Sequence, residues 1–353
     1  MADKDLEAQA LVEQKAKPSA AAASGSGSLS RTLWLVLYVL IWYVASAVCN
    51  TSARKILTLY EPIPLWLSFV QIAITVVILR VYLFQVKKTP PPPIPSQDAR
   101  DVIYKLAFTY TVGFVFVNSG YLAVNVSLAE TLRSAEPLFS VFFAKLMLKD
   151  EPISTLTMLT LVPIVAGGVL SSGGDASFNM LGFVFVCISN ICFALRSVFM
   201  KHLKPLYTGN AIQVFYELCK VGAVGVFFLA ISFEILILVV GDEEQMKFAL
   251  LPMLVAPGSR LATFDFLRIL LVNGATYAAY NQMSFLVLSM VAMVTHAVGN
   301  SLRRVFTIVA SVYIFGNPIS NQNALGIVLA VGGVIAYSIS KARDEAKASK
   351  ALQ

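Results

Sequence analysis

Two runs of the sequence place arginines where lipid should be. THAVGNSLRRVFTIVASVYIFGN, residues 295–317, is apolar nearly throughout after Arg304, yet carries Arg303 and Arg304 side by side. AETLRSAEPLF, residues 129–139, holds Glu130, Arg133 and Glu136. An arginine at a bilayer centre costs about 2.5–3.5 kcal/mol on insertion scales, so such residues face partners or cavities rather than acyl chains. Glu130 can pair with Arg133 one turn on. The tandem arginines have no acid within their own stretch and point about 100° apart on a helix, so both can flank one cavity without facing it identically. A guanidinium offers a planar, two-pronged donor set that matches phosphate oxygens. The chemistry expected of Arg133, Arg303 and Arg304 is therefore phosphate binding, with the cargo supplying the missing anion. Structural ion pairing is the plainer alternative.

The other ionisable residues in apolar stretches read differently. Glu217 and Lys220 stand three apart and are expected to pair on one helical face, although Lys220 remains a candidate substrate contact. Arg196, near a span end, is expected to snorkel. His296 precedes the tandem arginines and is a candidate contact. Tyr277 and Tyr280 recur at helical spacing before Asn281 and Gln282, which makes them candidates for a cavity lining as well as for helix packing.

These groups need long apolar elements to hold them. Of 353 residues, 57% are hydrophobic and 13% charged, about half the charge of a typical soluble domain. Uncharged runs of about 20 residues each read as membrane spans. The sequence predicts an all-α membrane protein with ten spans: 33–53, 64–86, 103–122, 124–148, 154–172, 179–200, 210–240, 267–289, 291–315 and 321–340. KKTPPPPIPSQDARD must be an extended connection between spans two and three. Lysines and arginines gather on the side of both termini, which puts those termini in the cytosol. The formal charge of +7 reflects this loop bias; no aromatic-interleaved basic stripe points to nucleic acid. Cys49, Cys187, Cys192 and Cys219 read as packing residues, and no spacing suggests a metal site or a cofactor. No nucleophile–base pair suggests an enzyme. Sequons at Asn50 and Asn125 lie close to span ends.

LKDEPIS, residues 148–154, and IFGNPIS, residues 314–320, close spans four and nine; VAGGVL and VGGVIA follow in spans five and ten. Five spans per half is an odd number, so the halves insert upside down relative to one another, an architecture that transporters use for alternating access. The expected organisation is a disordered cytosolic tail over 1–30, a first five-helix repeat over 31–172, a second over 173–340 and a basic cytosolic tail over 341–353.

YNQMSFLVLSMVAMVTHAVGNSLRRVFTIVASVYIFGNPIS and VSLAETLRSAEPLFSV together resemble the triose-phosphate/phosphate translocator family of the drug/metabolite transporter superfamily. The likeness spans residues 33–340. It implies an antiporter that exchanges sugar phosphates or three-carbon phosphate compounds for inorganic phosphate. It also implies that the family's phosphate-binding Lys-Arg pair falls on Arg303 and Arg304, its span-four lysine on Arg133, and its tyrosine on Tyr280. The family's substrate-binding threonine and histidine fall on Val117 and Phe114, which cannot donate hydrogen bonds; Asn118 and Tyr121 stand nearby as substitutes. The alternative within the superfamily is a nucleotide-sugar/nucleoside monophosphate antiporter. The location implied is an endomembrane (Golgi or endoplasmic reticulum) or a plastid membrane, including the outer membrane of a complex plastid. The expected partners are small phosphorylated metabolites, phosphate and the lipid bilayer.

Overall fold

The computed structural model describes residues 25–148, 153–255, 263–291, 293–317 and 319–351. The expected disordered tail lies outside the described residues up to residue 24, and residues 25–30 are already helical. Part of LKDEPIS and the middle of the connection after span seven also lie outside. The chain divides into two units, 1–38 and 39–353. The first contributes the opening of helix α1, and the packing below concerns the second.

Among the described residues the chain is helical, without strands. Helix α1, Gly25–Lys55, widens into a π-turn at Ile56–Tyr60, and α2, Pro64–Arg80, ends likewise at Val81–Val86. Helix α3, Gln97–Ala123, starts where the Ser96 side chain accepts from the Ala99 N–H, relieving one of the orphan donors of a first turn. Span four is not one helix. It is split into α4, Val126–Arg133, and α5, Glu136–Met147. Pro137 explains the break: its ring lacks an N–H and collides with the carbonyl four residues back, which is that of Arg133. Asn190 then donates to the Leu132 carbonyl at 3.0 Å, the kind of side-chain repair that makes a broken helix tolerable in a membrane.

Span five is likewise divided into α6, Thr155–Leu159, and α7, Leu161–Gly174, with Pro163 just past the break. There follow α8, Met180–Leu203, and α9, Ala211–Val240, which opens on a reciprocal capping box between Asn210 and Gln213. Two short helices in the connection, α10, Glu243–Met246, and α11, Leu250–Val255, precede α12, Phe264–Met290, α13, Met293–Phe315, and α14, Asn321–Ala351. The basic tail from residue 341 continues α14 as helix up to Ala351. Among the described residues seven helical spans are long and apolar enough to cross a membrane: α1 with its π-turn, α2 with its own, α3, α6 with α7, α8, α9 and α14. Their outward faces carry large apolar side chains such as Leu236, Val239 and Val328, which suits contact with lipid.

α7 and α14 pack antiparallel at very close range. A Cβ on Gly167 would stand 2.4 Å from the Ala330 nitrogen, and one on Gly333 would stand 2.7 Å from the Ile164 side chain. Further along, Ser171 donates to Asn323 at 2.6 Å, while at the other end Thr157 bonds Ser340 at 2.7 Å. The contacts are reciprocal. In the register set by Ser154 and Ser320, Gly167 corresponds to Gly333 and Ile164 to Ala330. Ser154 and Ser320 also cap their helices alike, accepting from the Thr157 and Asn323 N–H groups. Small residues that let backbones approach are a common way for membrane helices to associate, since lipid offers no hydrophobic drive.

Candidate functional site

The packing of α13 against α4 carries Arg303 and Arg304 to the break in span four. Glu130 lies at the centre, with no solvent exposure. Its Oε1 accepts from Arg133 Nη1 at 2.6 Å, from the Tyr121 hydroxyl at 2.5 Å and from Asn50 Nδ2 at 3.3 Å. Arg304 reaches the same region from α13: its Nη2 donates to Glu136 Oε2 at 3.2 Å, and its Nη1 stands 3.8 Å from Glu130 Oε2. Arg303 turns away by the angle between neighbouring helix positions. It donates to Asn300 Oδ1 at 3.1 Å and to the Ser46 hydroxyl of α1, and its guanidinium lies 5.5 Å from the centre of the Tyr280 ring. All three arginines are buried.

For Arg304 the expectation that the cargo alone supplies an anion is corrected, whereas the contacts of Arg303 are to Asn300, Ser46 and the Tyr280 ring. Glu130 and Glu136 come from another span, so the pairing crosses the bundle and leaves no trace at helical spacing. Compensation is incomplete, because three guanidiniums meet two carboxylates. Among the described residues Arg304 Nη1, Arg133 Nε and Glu130 Oε2 are buried without a hydrogen-bond partner, a condition that ordinarily costs about 1–3 kcal/mol per group. The cluster can therefore still accept an anion.

An aromatic wall adjoins it. Phe193 lies beneath the Arg133 guanidinium at 5.6 Å, and Phe114 touches Phe193, Tyr110 and Tyr277 at centroid distances of 5.1, 4.8 and 4.9 Å. The Tyr277 and Tyr110 hydroxyls bond one another at 2.5 Å, so Tyr277 serves the wall and Tyr280 links the wall to Arg303. Tyr121 is brought to the charged centre, where it also accepts from Arg133 Nη1 at 3.2 Å.

Three expected contacts lie elsewhere. Asn118 donates to Ser68 and Gln71 at 2.8 and 2.9 Å, in a polar network that continues through Asn273. Lys220 pairs with Glu217 at 2.9 Å and lies over the Tyr216 ring. His296 stacks on Trp42 at 5.0 Å and shares a 3.0 Å hydrogen bond with Ser284. These bonds are to side chains outside the arginine cluster. Arg196 lies 5.1 Å over the Phe193 ring and is half-buried. The residues that the sequence did not point to are Ser46 and Asn50 of α1, Glu136 as the partner of Arg304, and Phe193. Asn50 also loses its sequon reading: it is 5% exposed inside α1 and holds Glu130. Asn125, the N-cap of α4, accepts from Arg54 at 3.0 Å.

The profile of the Triose-phosphate Transporter family matches residues 33–338. The chain belongs to the triose-phosphate transporter family. Members of that family are transporters rather than enzymes. A chloroplastic triose phosphate/phosphate translocator of Brassica oleracea var. botrytis is 32% identical over 326 residues, covering 90% of this chain and 75% of its own. The chloroplastic phosphoenolpyruvate/phosphate translocator 2 of Arabidopsis thaliana is also 32% identical, over 90% of this chain and 79% of that one. One solved crystal structure of a protein, at 15% identity, covers 89% of this chain and 98% of that chain with a TM-score of 0.51, which speaks to fold alone. Multi-pass insertion in a membrane follows from the seven apolar spans together with this membership.

Proposed function

We propose that the protein is an antiporter that exchanges sugar phosphates or three-carbon phosphate compounds for inorganic phosphate by alternating access. The observation that carries the reading is the buried cluster of Arg133, Arg303 and Arg304, under-neutralised by Glu130 and Glu136, with guanidinium donors left unpaired. Arg304 Nη1 and Arg133 Nε are the donors that would receive phosphate oxygens. Tyr280 and Tyr121 position them, while Asn118, His296, Lys220 and Tyr277 act in packing. The names of the translocators it resembles support both the phosphate cargo and a plastid membrane rather than Golgi or endoplasmic reticulum.

The architecture that goes with this reading is ten spans in two inverted repeats, 31–172 and 173–340, both termini cytosolic. The antiparallel, reciprocal contact of α7 with α14 supports it, because equivalent helices of inverted halves must run in opposite directions. Exchange then follows from electrostatics. The empty cluster keeps an uncompensated positive charge in a low dielectric, at a cost of several kcal/mol before relaxation. Cargo removes that cost, so the loaded carrier reorients more readily than the empty one.

The test is uptake of labelled phosphate into proteoliposomes preloaded with phosphate, triose phosphate, phosphoenolpyruvate, uridine monophosphate or buffer alone. Uptake driven by the first three and absent with buffer supports the reading. Uptake driven by uridine monophosphate alone would replace it with nucleotide antiport, and uptake independent of preload would overturn exchange.

A further inference from the structure

We propose that Arg54 is a latch: it holds shut the mouth of the carrier at the end of the bundle opposite the two chain termini, and it releases each time cargo passes through that mouth. This rests on the exchange reading given above. The latch stands one helical turn outward of the cargo cluster. Asn50 and Arg54 lie four apart on one face of α1; Asn50 donates to Glu130 inside the cluster, and Arg54 grips the turn between α3 and α4. Its Nη1 donates to the Tyr121 carbonyl at 2.7 Å and to the Val124 carbonyl, and its Nη2 donates to Asn125 Oδ1 at 3.0 Å. The guanidinium also lies 5.9 Å from the centre of the Phe315 ring at the end of α13. One side chain thus joins α1, α3, α4 and α13 at a single point.

The acceptors show why this contact can open and close. α3 ends at Ala123, so the carbonyls of its last turn have no partner along the helix. The Asn125 N–H, which would have reached the Tyr121 carbonyl had α3 continued, turns to Ser177 Oγ at 3.0 Å instead. A cation at a helix C-terminus is favoured by the aligned peptide dipoles, and Arg54 takes that place. Asn125 is the N-cap of α4, but its side chain makes no capping bond; its oxygen serves Arg54 where it would ordinarily accept from its own helix. None of these three acceptors is a carboxylate. Breaking the bonds strands no buried anion, and Arg54 is half-buried near a span end, where a long side chain reaches water once released. Glu130 and Arg133, by contrast, form an ion pair deep in the bundle that cannot part without leaving charge unpaired.

The anchoring of the turn sets which parts separate. On the side away from α1, Asn179 donates to the Ala123 carbonyl at 2.7 Å, and Ser177 donates to Asp175 Oδ1 at 2.6 Å. Asp175 Oδ2 in turn accepts from Asn323 of α14 at 3.1 Å, and Ser320 donates to the Gly174 carbonyl at 2.7 Å. The turn is therefore fixed to the tight α7–α14 pair, and α1 is the element that parts from it. A π-turn opens at Ile56, just past Arg54, a helix irregularity often found at functional sites. Tyr121 carries the movement inward, since its carbonyl meets Arg54 while its hydroxyl bonds Glu130 and Arg133.

Locking the latch tests it. In the full chain carrying Arg54→Cys and Asn125→Cys, a bifunctional methanethiosulfonate reagent replaces the guanidinium arm by a covalent bridge that a thiol reductant removes. On cross-linking, phosphate–phosphate exchange in proteoliposomes should fall about tenfold or more relative to wild type treated alike, because a mouth that cannot open cannot pass cargo. Reduction should restore it. The treated wild type also controls for the four native cysteines. Exchange that continues in fully cross-linked protein overturns the proposal, since a purely structural cap is indifferent to being fixed. If the pair stops exchange before cross-linking, Arg54→Lys decides, in vesicles whose carriers all face one way. An ammonium cannot hold the three acceptors and the Phe315 ring together, so the resting carrier shifts toward the form open at that mouth. The apparent KM for phosphate at the Arg54 end should fall and that at the opposite end should rise, changing their ratio about fivefold or more. An unchanged ratio, or complete loss of exchange by folded Arg54→Lys protein, overturns the proposal. Absence of any phosphate exchange in the wild type overturns instead the exchange reading on which it stands.

Discussion

Replacing Gly167 by alanine tests the contact that joins α7 to α14. The new Cβ would lie 2.4 Å from the Ala330 nitrogen, 2.6 Å from the Gly326 carbonyl oxygen and 2.8 Å from the Ala330 Cα. All three are backbone atoms of a helix and cannot swing aside, so α14 must shift away by most of an ångström. Overpacking of this kind costs about 1–3 kcal/mol, and the loosened helices also weaken the Ser171–Asn323 and Thr157–Ser340 bonds along the same seam. Gly168 is the control. A Cβ there meets only the Leu132 side chain at 3.9 Å, so Gly168→Ala should be neutral, or gain up to about 1 kcal/mol from helix propensity. Thermal melting of the purified full chain in one detergent, followed by loss of the monodisperse peak, compares the two. Gly167→Ala should melt clearly below wild type and Gly168→Ala at or above it. Equal melting of the two would refute the reasoning about this interface.

Three further outcomes are expected. Arg303→Lys should reduce phosphate exchange at least tenfold with insertion intact, because one ammonium cannot hold Asn300, Ser46 and the Tyr280 face together; exchange kinetics check it. Asn118→Leu should lower the melting temperature by removing donors to Ser68 and Gln71, at about 1–3 kcal/mol for acceptors left buried, while the KM for phosphate in the surviving protein changes less than twofold. Asn50 should carry no glycan when the chain is expressed in a glycosylating host, since its amide is buried against Glu130; an endoglycosidase-sensitive mass that vanishes in Asn50→Gln would contradict this.

How much of this was legible beforehand depends on the range of each interaction. The Glu130–Arg133 and Glu217–Lys220 pairs are local and could be read from spacing three along a helix. Tyr280 could be read as a cavity-lining candidate from its helical spacing with Tyr277, whereas Tyr121 came into view only through family resemblance. The Arg304–Glu136 contact joins α13 to α5 across the bundle, and no periodicity within either run encodes it, so the arginines looked more isolated than they are. Asn118 lies one helical turn before Tyr121 on α3, yet it serves a separate polar network with α2 and α12. Neighbourhood in sequence could not separate the two faces. Pro137 accounts for the break within 124–148, but the apolar residues on either side read as one run of membrane length. The long apolar spans were the easiest part, with boundaries within about three residues for α8 and α9 and within about eight for α1–α3, because apolar length is what a bilayer demands.

The most direct test of the central claim compares wild type with Arg304→Gln in phosphate-preloaded proteoliposomes matched for inserted protein. Arg304 supplies an unpaired buried donor and bonds Glu136, and a charge-assisted hydrogen bond contributes about 1.5–3 kcal/mol. The account therefore predicts exchange reduced at least tenfold, with the protein still folded and inserted. Exchange at the wild-type rate in Arg304→Gln would show that the cargo phosphate binds elsewhere.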